Sequence, residues 1–317
     1  LETGWALTGQ LLQLEGLALR APGTTLGGGL TLDLATVQAN GGLQGRIADL
    51  GALRPFTGQD LIGTVELDLR LANADDRQGA EVTVAARRIG GAFGTLESAD
   101  LRARAGDLLG TPTIDATLRL GTLIQPDLVV ESASLTAAGP LGDLVIEAAA
   151  KGAQAANAFD IKAAATVAAM GEPKRVTLQM LEGTYADQPI QLLAPARLTL
   201  DKGVLDLDRL DLRFGEARTR SRARYGDGRI DAALRLEPTP LAMLERFGAP
   251  ALAGTLDAEV TAAGATAAPT IALRLDGRDV RLAGTDASIP GAALGVEARI
   301  AGGALTAQVT LAQLTDQ

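Results

Sequence analysis

Cysteine and histidine are absent from this 317-residue chain, and aromatic residues make up only 3% of it. Without thiols there are no disulfides and no thiolate nucleophile. Without imidazole there is no Ser-His-Asp triad and no ordinary zinc or copper site. One Trp, two Tyr and five Phe supply few of the large side chains that knit facing sheets into a sandwich core, each burying about 150–250 Å². Core packing is the default expectation for the single Trp5. A basic excess is also missing. The balance is 29 Lys and Arg against 38 Asp and Glu, a net charge of −9, which argues against a general nucleic-acid partner. No stretch approaches the roughly 20 apolar residues of a membrane helix. The blandest run, Ala163 to Met170, is short and Ala-rich. Gly27-Gly28-Gly29 has no following Lys or helix, so it is no phosphate loop; no cofactor or metal is expected. The chain begins at Leu1 without an initiator Met or signal peptide and reads as a segment of a longer protein.

What is abundant is Leu, Ala and Val in strict alternation with polar residues. Hydrophobic residues total 47%, and most lie in runs of period two, the pattern of a strand with one dry face and one wet face. Leu30, Leu32 and Leu34 share a parity, as do Val65, Leu67, Leu69 and Leu71, with Glu66, Asp68 and Arg70 between them. Further candidate lining residues of such a dry face are Val82 and Val84, Leu118 and Leu120, Val176 and Leu178, Leu198 and Leu200. Later runs add Leu205 and Leu207, Leu210 and Leu212, Leu234, Leu256 and Val260. The last are Ile271, Leu273 and Leu275, then Leu294, Val296 and Ile300. Turn signals every 8–14 residues or so separate the runs: Gly27-Gly28-Gly29, Asn40-Gly41-Gly42, Gly90-Gly91, Gly139-Pro140, Asp227-Gly228 and Gly302-Gly303. Ala148–Ala158 and Ala163–Ala169 have enough Ala for helix. Phe159, Ile161, Thr166 and Val167 tip the reading to strand.

In Val204 to Phe214 the parity switches. Leu205 and Leu207 share one, and Leu210, Leu212 and Phe214 the other. A one-residue bulge at Asp208-Arg209 keeps all five on one face.

A long-period repeat organises the chain. Asp49 to Thr64, DLGALRPFTGQDLIGT, falls on Pro240 to Thr255 without a gap when Gly63 is set on Gly254, a shift of 191 positions. Leu50, Leu53, Phe56, Leu61, Gly63 and Thr64 recur as Leu241, Leu244, Phe247, Leu252, Gly254 and Thr255. The three-residue spacing of Leu241, Leu244 and Phe247 predicts a short helix at 240–247, and its copy one near 48–54. Pro240 suits the first helical position, and Gly248, Ala249 and Pro250 end the helix. Serial rather than closed units follow: 1–46 as the end of a preceding repeat, 47–237 as one unit and 238–317 as the start of the next.

This phrase resembles the AsmA-like family of bacterial envelope proteins, in its TamB-type branch of translocation and assembly module subunits. The likeness lies in the short helix, the Gly-Thr-apolar alternation after it, and the small link Gly264 to Pro269 before another strand. It extends upstream through Leu192 to Leu198 and Val204 to Phe214, and covers about half of the chain. The resemblance implies a periplasmic segment of a parent anchored to the inner membrane and reaching the outer one. It implies phospholipid acyl chains as cargo and a TamA-like outer-membrane barrel as partner through parts of the parent chain beyond this segment.

About 20 alternating strands and two short helices leave far more dry face than helix can cover. The fold expectation is all-β: an elongated, curled antiparallel or mixed sheet forming a U-shaped trough, or β-taco. Its use would be non-enzymatic, bridge-like phospholipid transport along an apolar groove. The alternatives are a chaperone for outer-membrane barrels, and a spacer or adhesin stalk whose apolar faces pack as a dry solenoid core. An enzyme on a β-scaffold would use Asp206, Asp208 and Asp211, where Asp206 and Asp208 share a strand face at i, i+2. The plainer reading is a solvated outer face paired with Arg209 and Arg213. Arg218, Arg220, Arg222 and Arg224 likewise read as a wet strand face before they read as a headgroup contact.

Overall fold

A computed structural model of the chain describes residues 2–247, 250–284 and 291–313. Strand accounts for 77% of the chain and helix for 4%. Every pairing found among the described residues is antiparallel, so the mixed-sheet option is not realised.

The chain divides into two compact units, Leu1–Ala169 and Met170–Gln317. This division falls inside the 47–237 repeat unit. The first unit is an up-and-down meander of Glu2–Thr8, Leu11–Ala21, Thr24–Asp33, Gln38–Ile47, Ile62–Ala74, Arg77–Gly91, Gly94–Gly106, Thr113–Leu120 with Leu123–Gln125, Leu128–Pro140, Leu144–Gln154 and Asn157–Ala168. Each strand pairs with the next; Thr113–Leu120 and Leu123–Gln125 act as one interrupted strand between the same two neighbours. The second unit repeats the plan with Lys174–Tyr185, Gln188–Ala194 with Ala196–Asp201, Val204–Phe214, Ala217–Gly226, Arg229–Pro240, Leu252–Ala265, Thr270–Leu282, Ala292–Ala301 and Ala304–Gln313. Here the interruption is Pro195, which has no N–H to give the ladder. Both Ala-rich stretches fall in strands, Leu144–Gln154 and Asn157–Ala168, which pair with each other along their length.

Tight hairpins hold the meanders. Asp75 and Asp76 have φ of 51° and 57°, and Ala186 and Asp187 of 51° and 60°. Paired positive φ is the primed-turn geometry that matches strand twist. Two expected turns are instead strand interiors. Gly27-Gly28-Gly29 lies within Thr24–Asp33 and Asn40-Gly41-Gly42 within Gln38–Ile47. A Cβ on Gly28 would meet the Gly42 carbonyl oxygen at 2.1 Å, and one on Gly41 the Gly29 oxygen at 2.1 Å. These glycines serve a close backbone approach, not a reversal.

The repeat is structural as well as sequential. A 3-10 turn at Leu50–Leu53 running into a short helix at Arg54–Thr57 precedes Ile62–Ala74. A 3-10 helix at Leu241–Phe247 precedes Leu252–Ala265. Pro240 is the last strand residue, paired with Thr255, rather than the first helical one. The expected stop at Gly248-Ala249 lies outside the described residues. Leu50 and Leu241, 191 residues apart, are 8% and 6% exposed and rank among the few buried apolar residues. Each helical turn packs at the strand ends on a hairpin turn: Asp49 and Ala52 beside Gly23, Met243 beside Gly215. Each is followed by a bulge at Gly63 or Gly254. The partner strands supply Arg88 and Asp279, both at φ 51° and again 191 residues apart.

Gly63 (φ 120°) and Gly254 (φ 109°) therefore do one job. A Cβ on either would lie 2.5–2.6 Å from the carbonyl oxygen of Arg88 or Asp279. Gly63→Ala and Gly254→Ala should each cost about 1–3 kcal/mol, the scale of backbone strain. Gly142→Ala, with nothing within 4 Å of its Cβ, should leave the urea midpoint unchanged. Equal midpoints for all three variants would show that the bulges tolerate a side chain.

Candidate functional site: an apolar sheet face

Residues directly opposite one another in an antiparallel ladder point to the same face. The register therefore shows which side chains share a surface. In the first unit one row runs Leu67, Val84, Leu101, Leu118, Leu135, Ala148, Ala163 across seven strands. The adjacent rows run Val65, Ala86, Ala99, Leu120, Ala133, Ala150, Ile161, and Leu69, Val82, Ala103, Ala116, Ala137, Ile146, Ala165. No polar side chain interrupts these three rows. Leu71 continues the face through Gly41 to Leu30, then to Leu14 and Trp5; Leu32 lies beside Leu12. The interleaved rows are polar, for example Asp68, Thr83, Arg102, Thr117, Thr136 and Glu147.

The second unit repeats the segregation. One row joins Leu210, Ser221, Leu234, Val260, Leu273 and Ala298. Another joins Leu198, Leu207, Ala223, Ala232, Ala262, Ile271 and Ile300. Leu200 stands opposite Leu205, Val176 opposite Leu198, and Leu178 is two residues further along its strand. Leu212 precedes Thr219 and Leu236, and Leu275 meets Val296. Leu256 meets Gly277, which meets Leu294. The bulge expected at Asp208-Arg209 is present. Leu207 pairs with Ala223 and Leu210 with Ser221, which inserts one extra residue and keeps both leucines on one face.

Of the candidate lining residues, Leu34 is misplaced. It sits past the end of its strand, in a turn closed by the Asp33 carboxylate, which accepts from the Ala35 N–H at 2.8 Å. The alternation continued through Leu34, but an Asx-type turn ended the strand first. Trp5 is also corrected. It is 71% exposed on an edge strand with one described neighbour, not packed in a core. Leu101, Leu135 and Ile146 also belong to the face. Their strands carry Ala at most inward positions, and the alternation of Ala99, Leu101, Ala103 and Ala105 with Asp100, Arg102 and Arg104 is the signal that finds them.

None of the candidate lining residues is buried. Leu67, Val176, Leu200, Leu205, Leu234 and Ile300 are 36–42% exposed. Leu34, in its turn, is 50% exposed, and the rest are half-buried. The buried apolar residues described are only Leu50, Ala137, Leu144, Ala186, Ala196, Ala217 and Leu241. A shallow hollow of about 300 Å³ marks the face between Leu118, Leu135, Ala148 and Ile161. A larger one, about 890 Å³, involves the polar face at Arg20, Arg46, Glu66, Asp68 and Arg70. Four of these five charges are already partnered, Arg46 with Glu66 at 3.7 Å and Arg70 with Asp68 at 3.2 Å.

The acidic cluster differs from the solvated face expected of it. Asp211 is fully buried beneath three guanidiniums: Arg218, bidentate at 2.8 Å, Arg209 at 3.1 Å and Arg220 at 3.5 Å. Arg213 is not among its partners. Glu237 completes the network with Arg220 at 2.9 Å. Asp206 pairs with Arg224 at 2.9 Å, and Asp208 turns at the bulge to accept the Arg197 backbone N–H at 3.2 Å. Arg222 pairs with Asp231 at 3.5 Å. All four arginines of Arg218 to Arg224 therefore face carboxylates of the same sheet. The hydrogen bonds from Arg218, outweighing desolvation, lower the Asp211 pKa from 3.8 to about 2. Such a carboxylate is a poor proton donor and a good structural anchor.

Asp211→Asn should leave three guanidiniums without their shared anion and lower stability, whereas Asp206→Asn, at a more exposed pair, should cost little. Because the folded-state pKa is depressed, the contribution of Asp211 is present above about pH 4 and is lost as pH falls towards about 2. It amounts to roughly 2 kcal/mol. Urea midpoints across that range should fall less for Asp211→Asn than for the parent; parallel curves would remove Asp211 from the acid response.

No protein-family model, curated protein or solved structure matches this chain.

Proposed function

We propose that the apolar face is a lane for lipid acyl chains and that the segment carries phospholipid between membranes without catalysing a reaction. The observation that carries this reading is the exposure of the lining. Register puts the leucines and valines on one face, yet of the described residues on that face only Ala137 and Leu144 are buried, and none of the candidate lining residues is. A spacer with a dry solenoid core would bury them.

Hydrocarbon is the occupant that fits such a surface. The backbone beneath the face is spent in the ladder, so a ligand that needs hydrogen bonds finds few there, while each methylene withdrawn from water gains about 0.8 kcal/mol. Headgroups would remain in water at the open side. No single residue binds; contiguous rows do, and a chain slides along them because every position offers similar contact. The resemblance to AsmA-like proteins adds a setting: the periplasm, a parent anchored in the inner membrane, and a TamA-like outer-membrane barrel as partner.

Leu67→Arg tests the lane. Leu67 is 36% exposed, so a long side chain can lift its charge into water, and the stability cost should be about 1–2 kcal/mol. Retained phospholipid, measured by native mass spectrometry of the purified chain, should fall sharply. Glu147→Arg, on the opposite face and exposed, should change neither. Asp68 is a poorer control, since it pairs with Arg70 and accepts from Gln44 at 3.0 Å. Outright unfolding of Leu67→Arg, or undiminished lipid, would refute the assignment at this strand.

A further inference from the structure

The apolar face of the first unit is not uniform. Between Thr113–Leu120 and Asn157–Ala168, two adjacent rows read Leu118, Leu135, Ala148, Ala163 and Leu120, Ala133, Ala150, Ile161. Large residues flank small ones. The hollow of about 300 Å³ described above lies here, with Ala133, Ala148, Ala150 and Ala163 as floor and Leu118, Leu120, Leu135 and Ile161 as walls. Elsewhere on the same sheet the hollows involve charged residues, such as Glu81, Asp100, Arg102 and Arg119. This one is lined by apolar side chains on the lane face, and the only polar lining residue, Ser134, belongs to a polar row between Arg119 and Ala149.

We infer that this hollow is a discrete seat for one aliphatic chain, a resting place within the lane. The inference rests on the lipid-lane reading and makes it specific. Four strands about 4.8 Å apart span roughly 14 Å across the hollow, enough for a length of chain lying across the strands. The alanines make the seat: a larger residue at any of them would raise the floor to the level of the neighbouring rows. Contact with a passing chain is greatest where both floor and walls touch it, so a chain dwells there longer than on flat parts of the face.

The test uses the whole chain and palmitic acid carrying a diazirine near its tail, photolysed and mapped by peptide mass spectrometry. Crosslinks should concentrate on the peptides holding Ala133 to Leu135 and Ala148 to Ala150. Ala148→Leu fills the seat from an open face, so folding is not threatened, and Ala150→Val is a milder version. Displacing two or so methylenes from contact should cut crosslinking at the seat about tenfold, with a smaller drop for Ala150→Val. The thermal midpoint should stay within a few degrees of the parent. Crosslinks spread evenly over the apolar strands and unchanged by Ala148→Leu would overturn the seat and leave the lane standing. Crosslinks confined to the polar face, or absent, would overturn both.

Discussion

Cross-strand register is the constraint on which everything else here depends. Each antiparallel neighbour fixes not only which residues face each other but which side they share. A strand that alternates Leu with Glu or Arg has two chemically different faces, and the ladder forces its neighbours to agree. Slipping one strand by one residue would set Leu67 opposite Thr83 and Leu69 opposite Glu81, and would turn Glu66 and Asp68 onto Val84 and Val82. The apolar rows thus specify the meander as strongly as the hydrogen bonds do. Where a strand breaks its own parity, as at Asp208-Arg209, a bulge restores agreement.

A sheet whose apolar face stays largely unburied has little of the usual source of stability, a second layer. What remains is lateral. Leucines, valines and alanines cover one another along the rows, and the polar face is laced with cross-strand ion pairs such as Arg87 with Asp100 at 2.6 Å and Arg104 with Glu81 at 3.0 Å. Exposed pairs of this kind contribute modestly. The Asp211 network is different, because its carboxylate is out of water and held by three arginines at a bulge, where the ladder itself is weakest. The repeated helical turns add a second kind of anchor. Leu50 and Leu241 are buried in helical turns, each preceding a strand that carries a glycine bulge near its start.

These features bear directly on the proposed use. A lipid tail has no donors or acceptors to recognise, so its carrier needs surface rather than a constellation of side chains. The chain's poverty in aromatics and its lack of histidine and cysteine suit such a surface. The arginines that a headgroup reading would recruit, Arg218 to Arg224, are occupied with carboxylates of their own sheet. The chemistry of the apolar face lies in its continuity and in the depth of its alanine stretches.

The sequence by itself determined the strands, because period two is a local property. It also determined the bulge, from the parity switch in Val204 to Phe214, and the repeat, whose Leu50–Leu241 and Gly63–Gly254 matches proved to be matched structural roles. The tertiary structure decided the rest. Glycine runs at 27–29 and 41–42 carry the same composition in a turn as in a strand interior; only the neighbouring backbone at 2.1 Å from a missing Cβ separates the two. Leu34 continued a pattern that Asp33 had already ended. Asp211 alternated like a wet residue but became buried, because Arg218 and Arg220 arrive from the next strand and Arg209 from across the bulge. Whether the dry face met another sheet was likewise beyond the pattern, since alternation records that one side avoids water in sequence and not what stands opposite it in space.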